Sequence, residues 1–359
     1  MLIVNCVLDD GGWSPIHHLV ALASRLLEAE VLTVRRNEPS FLDRLSSILR
    51  GRSHRARGQE SCLLICAGPA DLVRLLSIDN WRGRFKFLAA WVIDSFWLDH
   101  IPTSTRLSKP FDHFFITSLE DVEQWRKITG VPTTWLPWGT DALKLGSAAP
   151  HRKWDVTRIG RQPPEWQDDA STALAASLLG ISYRGRVRSD GLTALQNQEL
   201  IMGVYGHSKY LMAFSNAANP ERYTHHTRQY LTGRWVDALA CGAVVAGICP
   251  RSPDVDELLW PGATLELGSV RRQEGLETIA GALRHWTPAR AIRNNAMALK
   301  KLDWRWRLKT IADIFAVESI TLRSELERLA TLIEEQRIAA PLMPEVEHSE
   351  AQQHSETDK

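Results

Sequence analysis

Cysteine is scarce in this chain, and patterned cysteine is absent. Its 359 residues hold five: Cys6, Cys62, Cys66, Cys241 and Cys249. The count is odd, every one sits in an apolar, strand- or helix-like context, and no Cys-x-x-Cys pair occurs. This argues against a disulfide framework and for a reducing compartment. No apolar run reaches the roughly 18 residues of a membrane-spanning helix. The opening residues, MLIVNCVLDDGG, lack a basic region and read as a first strand, not a signal peptide. An excess of one charge is missing too. The formal net charge of +1 gives no field that would draw the chain to nucleic acid. Two nucleotide signatures are absent: Gly-x-Gly-x-x-Gly, and Gly-x-x-x-x-Gly-Lys-Ser/Thr, whose absence disfavours a P-loop ATPase or kinase.

The composition is otherwise ordinary for a soluble globular protein, with 44% hydrophobic and 24% charged residues. The length suits two domains of about 150 residues each. Tryptophan is abundant, at 14 residues. Core rings are the default for most, with stacking on sugars as the alternative.

Strand and helix patterns alternate along residues 1–140. LIVNCVL at 2–8 suits a buried parallel strand. Ser14 followed by Pro15 reads as a helix N-cap and N1 pair, and Ile16, Leu19, Val20, Ala23, Leu26 and Leu27 keep helical spacing after it. Strands follow at 31–34, 61–67, 87–93, 114–118 and 133–138, with helices near 39–49, after Pro69, and from Ser118 through Trp125. Ser118 with Asp121 resembles a capping box. Residues 141–153 have the composition of a linker. A second series fills 154–302, with strands at 154–160, 182–187, 210–215, 243–248 and 264–267 and helices between them. One long helix is expected over 303–338, and a disordered tail over 341–359. The pattern predicts an α/β protein of two Rossmann-like doubly wound domains facing a cleft, with the last helix crossing back to the first domain.

The densest motif is TRQYLTGRWVDALACGAVVAGICP at 227–250. It reads as a cation-rich helix start, a helix stopped by Gly242, and a buried strand. Such junctions hold phosphates in α/β proteins. Gly12, in the first strand-to-helix loop, either makes a tight turn or lets a ligand approach the backbone. Arg161 either neutralises phosphate or is an ordinary surface arginine. The long polar loop before the motif carries His225, His226, Thr227 and Arg228, donors suited to hydroxyls and phosphates. No Cys or carboxylate accompanies these histidines at ligand spacing, so no metal is expected there. Asp94, at the end of a strand, either caps the next helix or acts as a base, with His100 nearby as the other candidate. The run Arg50–Arg57 holds four arginines and no acid. It reads either as a solvated loop or as contact with an anionic acceptor or membrane surface.

These motifs resemble the GT-B glycosyltransferases, group 1-like, and most nearly the CgeB-like members. The pattern Arg234, Asp237, Ala238, Ala240, Gly242 is similar to their donor-binding helix. Pro137-Trp138-Gly139-Thr140-Asp141 is similar to the Pro-x-Gly-x-Asp run that shapes their hinge. Gly160-Arg161 resembles a diphosphate contact, and Ser208-Lys209 resembles a Ser-Lys before an apolar strand. The likeness spans roughly residues 1–316. It implies transfer of a sugar from a nucleoside diphosphate sugar, UDP-linked or otherwise, to an acceptor, with no cofactor and no bound metal. The leaving diphosphate would be held by Arg161, Lys209, Arg234 and the helix start at Thr232, and a ribose by Asp237. Retaining members carry a glutamate eight positions before that acid. Here Gln229 stands there, which leaves retention or inversion open. The same resemblance leaves open a nucleotide-sugar epimerase and a non-catalytic glycan- or partner-binding relative. A cytoplasmic location, with peripheral contact at the inner membrane face, completes the expectation.

Overall fold

A computed structural model of the chain describes residues 1–8, 11–34, 58–78, 81–221 and 224–339. The expected helix near 39–49, the Arg50–Arg57 run and the 341–359 tail lie outside the described residues.

The first sheet has six parallel strands in the order β2-β1-β3-β4-β5-β6. They are β1 (Leu2–Asn5), β2 (Glu30–Thr33), β3 (Glu60–Cys66), β4 (Phe85–Val92), β5 (His113–Ile116) and β6 (Thr133–Trp135). The second sheet has five, β11-β10-β9-β7-β8. They are β7 (Trp154–Arg158), β8 (Tyr183–Arg184), β9 (Ser208–Phe214), β10 (Val244–Ile248) and β11 (Thr264–Glu266). Central strands read as unbroken apolar runs because helices cover both faces. In β3 every residue from Ser61 to Cys66 is buried, and β4 follows the same rule from Leu88 onward.

Nine helices position the features discussed below. They are α1 (Ser14–Leu26), α2 (Val122–Thr129), α3 (Ala142–Leu145), α4 (Asp169–Leu178), α5 (Ala194–Gly206), α6 (Gly233–Ala240), α7 (Pro288–Lys301), α8 (Trp304–Phe315) and α9 (Ile320–Ala339). Two expectations fail at helix ends. Ser14 is not a cap: a 3-10 turn, Gly11–Trp13, precedes α1. The buried Ser14 hydroxyl instead accepts from Asn197 Nδ2 of the second domain at 2.8 Å. The expected capping box at Ser118 is also absent, because the Ser118 hydroxyl donates to the Asp121 carboxylate instead, at 2.7 Å.

The single helix expected over 303–338 is two. Ala316 adopts φ 51, a left-handed stop, between α8 and α9. The crossing-back is present. Trp304 meets Trp91 of β4 edge-to-face at 5.6 Å, Phe315 meets Phe87 at 4.9 Å, and Ser319 donates to the Leu26 carbonyl.

The run Pro137–Asp141 is tied to the start of α8. Thr140 and Asp303 form a parallel bridge. Buried Asp141 accepts from Lys144 N at the start of α3, from His18 Nε2 at 2.9 Å and from Arg305 at 2.8 Å. Those bonds outweigh burial and hold its carboxyl at about 2.

Candidate functional site

In parallel sheets the strand carboxyl ends form the ligand edge. Here the two edges meet. Loops after β1, β4 and β5 of the first sheet touch segments after β9 and β10 of the second. Phe96 stacks on Tyr230 at 4.0 Å, and Trp97 packs on His225 at 4.7 Å. A Cβ on Gly233 would lie 3.1 Å from Pro15 and 3.4 Å from Trp138. Helix α6 therefore starts in the junction between domains.

That start carries the central arrangement. Thr232 is the N-cap residue in extended conformation, and no side chain caps the helix. Arg234, in the first turn, donates from Nη1 to the Arg161 carbonyl at 2.9 Å. Gly160 takes φ +71, and a Cβ there would approach Arg234 Nη1 to 3.4 Å. The β7 carboxyl end thus brings Arg161 beside Arg234 at the positive end of a helix dipole. Gln229 precedes this start, its side-chain amide oxygen accepting from Arg251 N.

Across the junction, Asp94 follows β4. Its backbone N–H donates to the Ala67 carbonyl, and its half-buried side chain forms no hydrogen bond among the described residues. Burial alone pushes the carboxyl up to about 7. A half-buried acid poised near neutrality is suited to proton transfer. The capping reading for Asp94 has no hydrogen bond to support it.

Other expected ligands are placed differently. Lys209 lies at the amino end of β9, the opposite edge from the junction. There it pairs with Asp155 at 2.7 Å, so it is not a phosphate contact in this structure. Its position before the strand is the reason, since residues that open a parallel strand face away from the ligand edge. Arg228 is engaged by the first domain, at 2.5 Å from Glu120 and 2.9 Å from Asp121. Asp237 is 2% exposed and accepts from Gln198 Nε2 of α5 at 3.0 Å. Burial pushes it up to about 6 against the pull of Thr140 and Gln198. It fastens α5 to α6, whereas Arg234 reaches the Arg161 carbonyl.

His225 Nδ1 accepts backbone N–H bonds from Thr227 and Arg228, which requires that nitrogen to be bare. Burial, then His226 and Arg228, lower its pKa. It shapes its own loop, and Thr227 is exposed beside it. His100 is exposed, its ring stacked on Trp97 at 4.9 Å and its Nε2 3.7 Å from Asp99. Gly12 sits in the exposed 3-10 turn at the first-sheet edge.

Sequence reasoning passed over Asp254, although Asp254-Val255-Asp256 stands plainly in the chain. Its carboxylate accepts from Trp135 Nε1 at 2.7 Å and from Leu119 N, both in the first domain. Burial pushes it up to about 6. The signal for it is long-range pairing, which local spacing does not carry.

Residues 142–313 match the model of a family described as glycosyl transferase-like. No curated protein sequence matches the chain. Among solved structures, Anabaena Alr3699/HepE in complex with UDP and glucose is similar with a TM-score of 0.51 and 14% identity, over 88% of this chain and 99% of that one. AviGT4, a glycosyltransferase involved in avilamycin A biosynthesis, is 12% identical over 93% and 98%, with a TM-score of 0.45. The HepE likeness shows the fold to be GT-B.

Proposed function

We propose, from the premise that residues 142–313 are a glycosyltransferase domain on a GT-B fold, that this chain moves a sugar from a nucleoside diphosphate sugar to an acceptor hydroxyl. The contact of Arg234 with the Arg161 carbonyl at the uncapped start of α6 carries the reading. Two guanidinium-bearing residues and a helix amino end suit a leaving diphosphate. HepE, which is similar in fold, was crystallised with UDP and glucose, which supports UDP as the first donor base to try.

The favoured course is inverting displacement. The acceptor oxygen bonds to the anomeric carbon as the bond to the diphosphate oxygen breaks. The leaving diphosphate takes that electron pair, and Asp94 takes the acceptor proton. Gln229, neutral where retaining relatives have a glutamate, fits this course better than retention. Arg161, Arg234 and the Thr232 helix start hold the diphosphate, with Gln229 and Thr227 lining the approach and Gly12 at the acceptor side. Lys209, Arg228 and Asp237 act structurally in this scheme, and His225 and His100 supply the aromatic wall with Trp97. Metal and cofactor have no part in it.

The likeness to CgeB-like enzymes remains our finer proposal of kinship. A cytoplasmic site of action suits the thiols, of which burial pushes Cys6 up to about 12 and out of reactivity. No helix among the described residues is long and apolar enough to cross a membrane.

A thermal-shift panel of nucleoside diphosphates, followed by donor hydrolysis, tests the reading. Stabilisation by a nucleoside diphosphate is expected. No shift at millimolar ligand removes the proposal. Conversion of donor without acceptor, followed by NMR, would make the protein an epimerase.

A further inference from the structure

We infer that the chain holds a second anion site, at the back of the hinge, for a small phosphate-bearing ligand. A groove of ≈ 370 Å³ is lined by Arg25, Leu143, Lys144, Arg305, Glu325 and Arg328. Four of the six are cations and one is an acid. The volume is ample for a pyrophosphate or phosphate monoester with several waters, each of which takes about 30 Å³.

The pairing pattern leaves charge to spare. Glu325 is shared between Arg25 at 2.5 Å and Arg305 at 2.6 Å. Arg305 is further neutralised by Asp141 and Asp303. The side chains of Lys144 and Arg328 are exposed and take no partner among the described residues. Two cations thus face the groove unneutralised, and a third, Arg25, is held by half of one carboxylate. A dianion could join all three, which one shared carboxylate does not.

The groove is not the cleft. Arg25 lies eleven residues along α1 from Ser14, roughly 16 Å at the helical rise. It is built from α1 of the first domain, α3 of the linker and α9 of the crossing-back segment. A bound anion would tie these three elements together beside Arg305, the residue that already clamps Asp141 to Asp303. It would therefore stiffen the hinge. The ligand chemistry is a phosphate group, free or on a lipid headgroup.

Calorimetric titration of the full chain with inorganic pyrophosphate tests this, alongside flotation with vesicles containing phosphatidic acid. The Lys144→Ala/Arg328→Ala double variant, altered only at exposed positions, should bind at least tenfold more weakly in whichever assay the wild type binds. Glu325→Gln, which removes the competing charge, should bind severalfold more tightly. Arg234→Ala, which weakens the diphosphate site proposed for the cleft, should leave the groove's own binding event in place, and the double variant is compared on that background. Pyrophosphate binding alone identifies a free phosphate ligand, and flotation identifies a lipid source. The inference is overturned if the wild type binds neither, if the double variant binds as wild type, or if Arg234→Ala abolishes the signal.

Discussion

At the scale of single residues, the roles proposed for Arg234 and Asp94 make sharply different predictions. Arg234 reaches the Arg161 carbonyl from the first turn of α6. If it stabilises departing charge, Arg234→Ala should lower kcat/KM by about 10²–10³-fold, in line with loss of one preorganised donor. Turnover within threefold of wild type would sink that role. Asp94 is held near 7 by burial, and a base works only when deprotonated. The rate should climb with pH through about 7 and level off above it. Asp94→Asn should lose most activity and the titration with it. A profile of unchanged shape in the variant would assign the proton to another group. Lys209 is the control. It forms a partly exposed pair with Asp155, so Lys209→Ala should leave kcat/KM within threefold and cost about 1 kcal/mol or less of stability.

At the scale of elements, the sequence was most legible where a local rule decides. The two alternating series are such a case, because buried parallel strands show as short apolar runs. The Gly242 helix stop is another, since φ +76 there admits few other residues. Helix ends were less legible. Ser14 has the residue type of a cap, but its hydroxyl is claimed by Asn197, 183 positions away. The 303–338 helix breaks at Ala316, a residue with no local signature of a stop. The hinge gives the element-scale prediction. A Cβ on Gly139 would lie 2.7 Å from the Leu302 carbonyl and from the Trp304 ring. Both are backed by core, so neither yields cheaply. Gly139→Ala should destabilise the protein by about 1–3 kcal/mol, read by urea denaturation, and a change under 0.5 kcal/mol, roughly the scale of an ordinary surface substitution, would show the hinge to be loosely packed.

At the scale of the whole molecule, the candidate site is only half legible in sequence because it is assembled across domains. The α6 start and Arg161 could be found from motif spacing. The engagement of Arg228 by Glu120 and Asp121, and of Asp254 by Trp135, depends on the domain pose. That pose also gathers acids of raised pKa: Asp94 at about 7, with Asp237 and Asp254 at about 6. Each holds a proton in the folded state that the unfolded chain gives up near 3.8. Between these values the native state binds more protons than the unfolded one, so stability falls as pH rises from about 4 to about 7. Asp141 works in the opposite sense. Its pKa of about 2 contributes stability that is lost only as pH falls below about 4. Asp254 isolates the effect, because it is buried and its asparagine analogue can still accept from Trp135 Nε1. Its shift from 3.8 to about 6 corresponds to roughly 3 kcal/mol at pH above 6. Asp254→Asn should therefore melt above wild type at pH 7.5 and lose that advantage by pH 4. Equal melting temperatures at both pH values would mean that this carboxyl titrates normally and that the domains do not bury it as the structure shows.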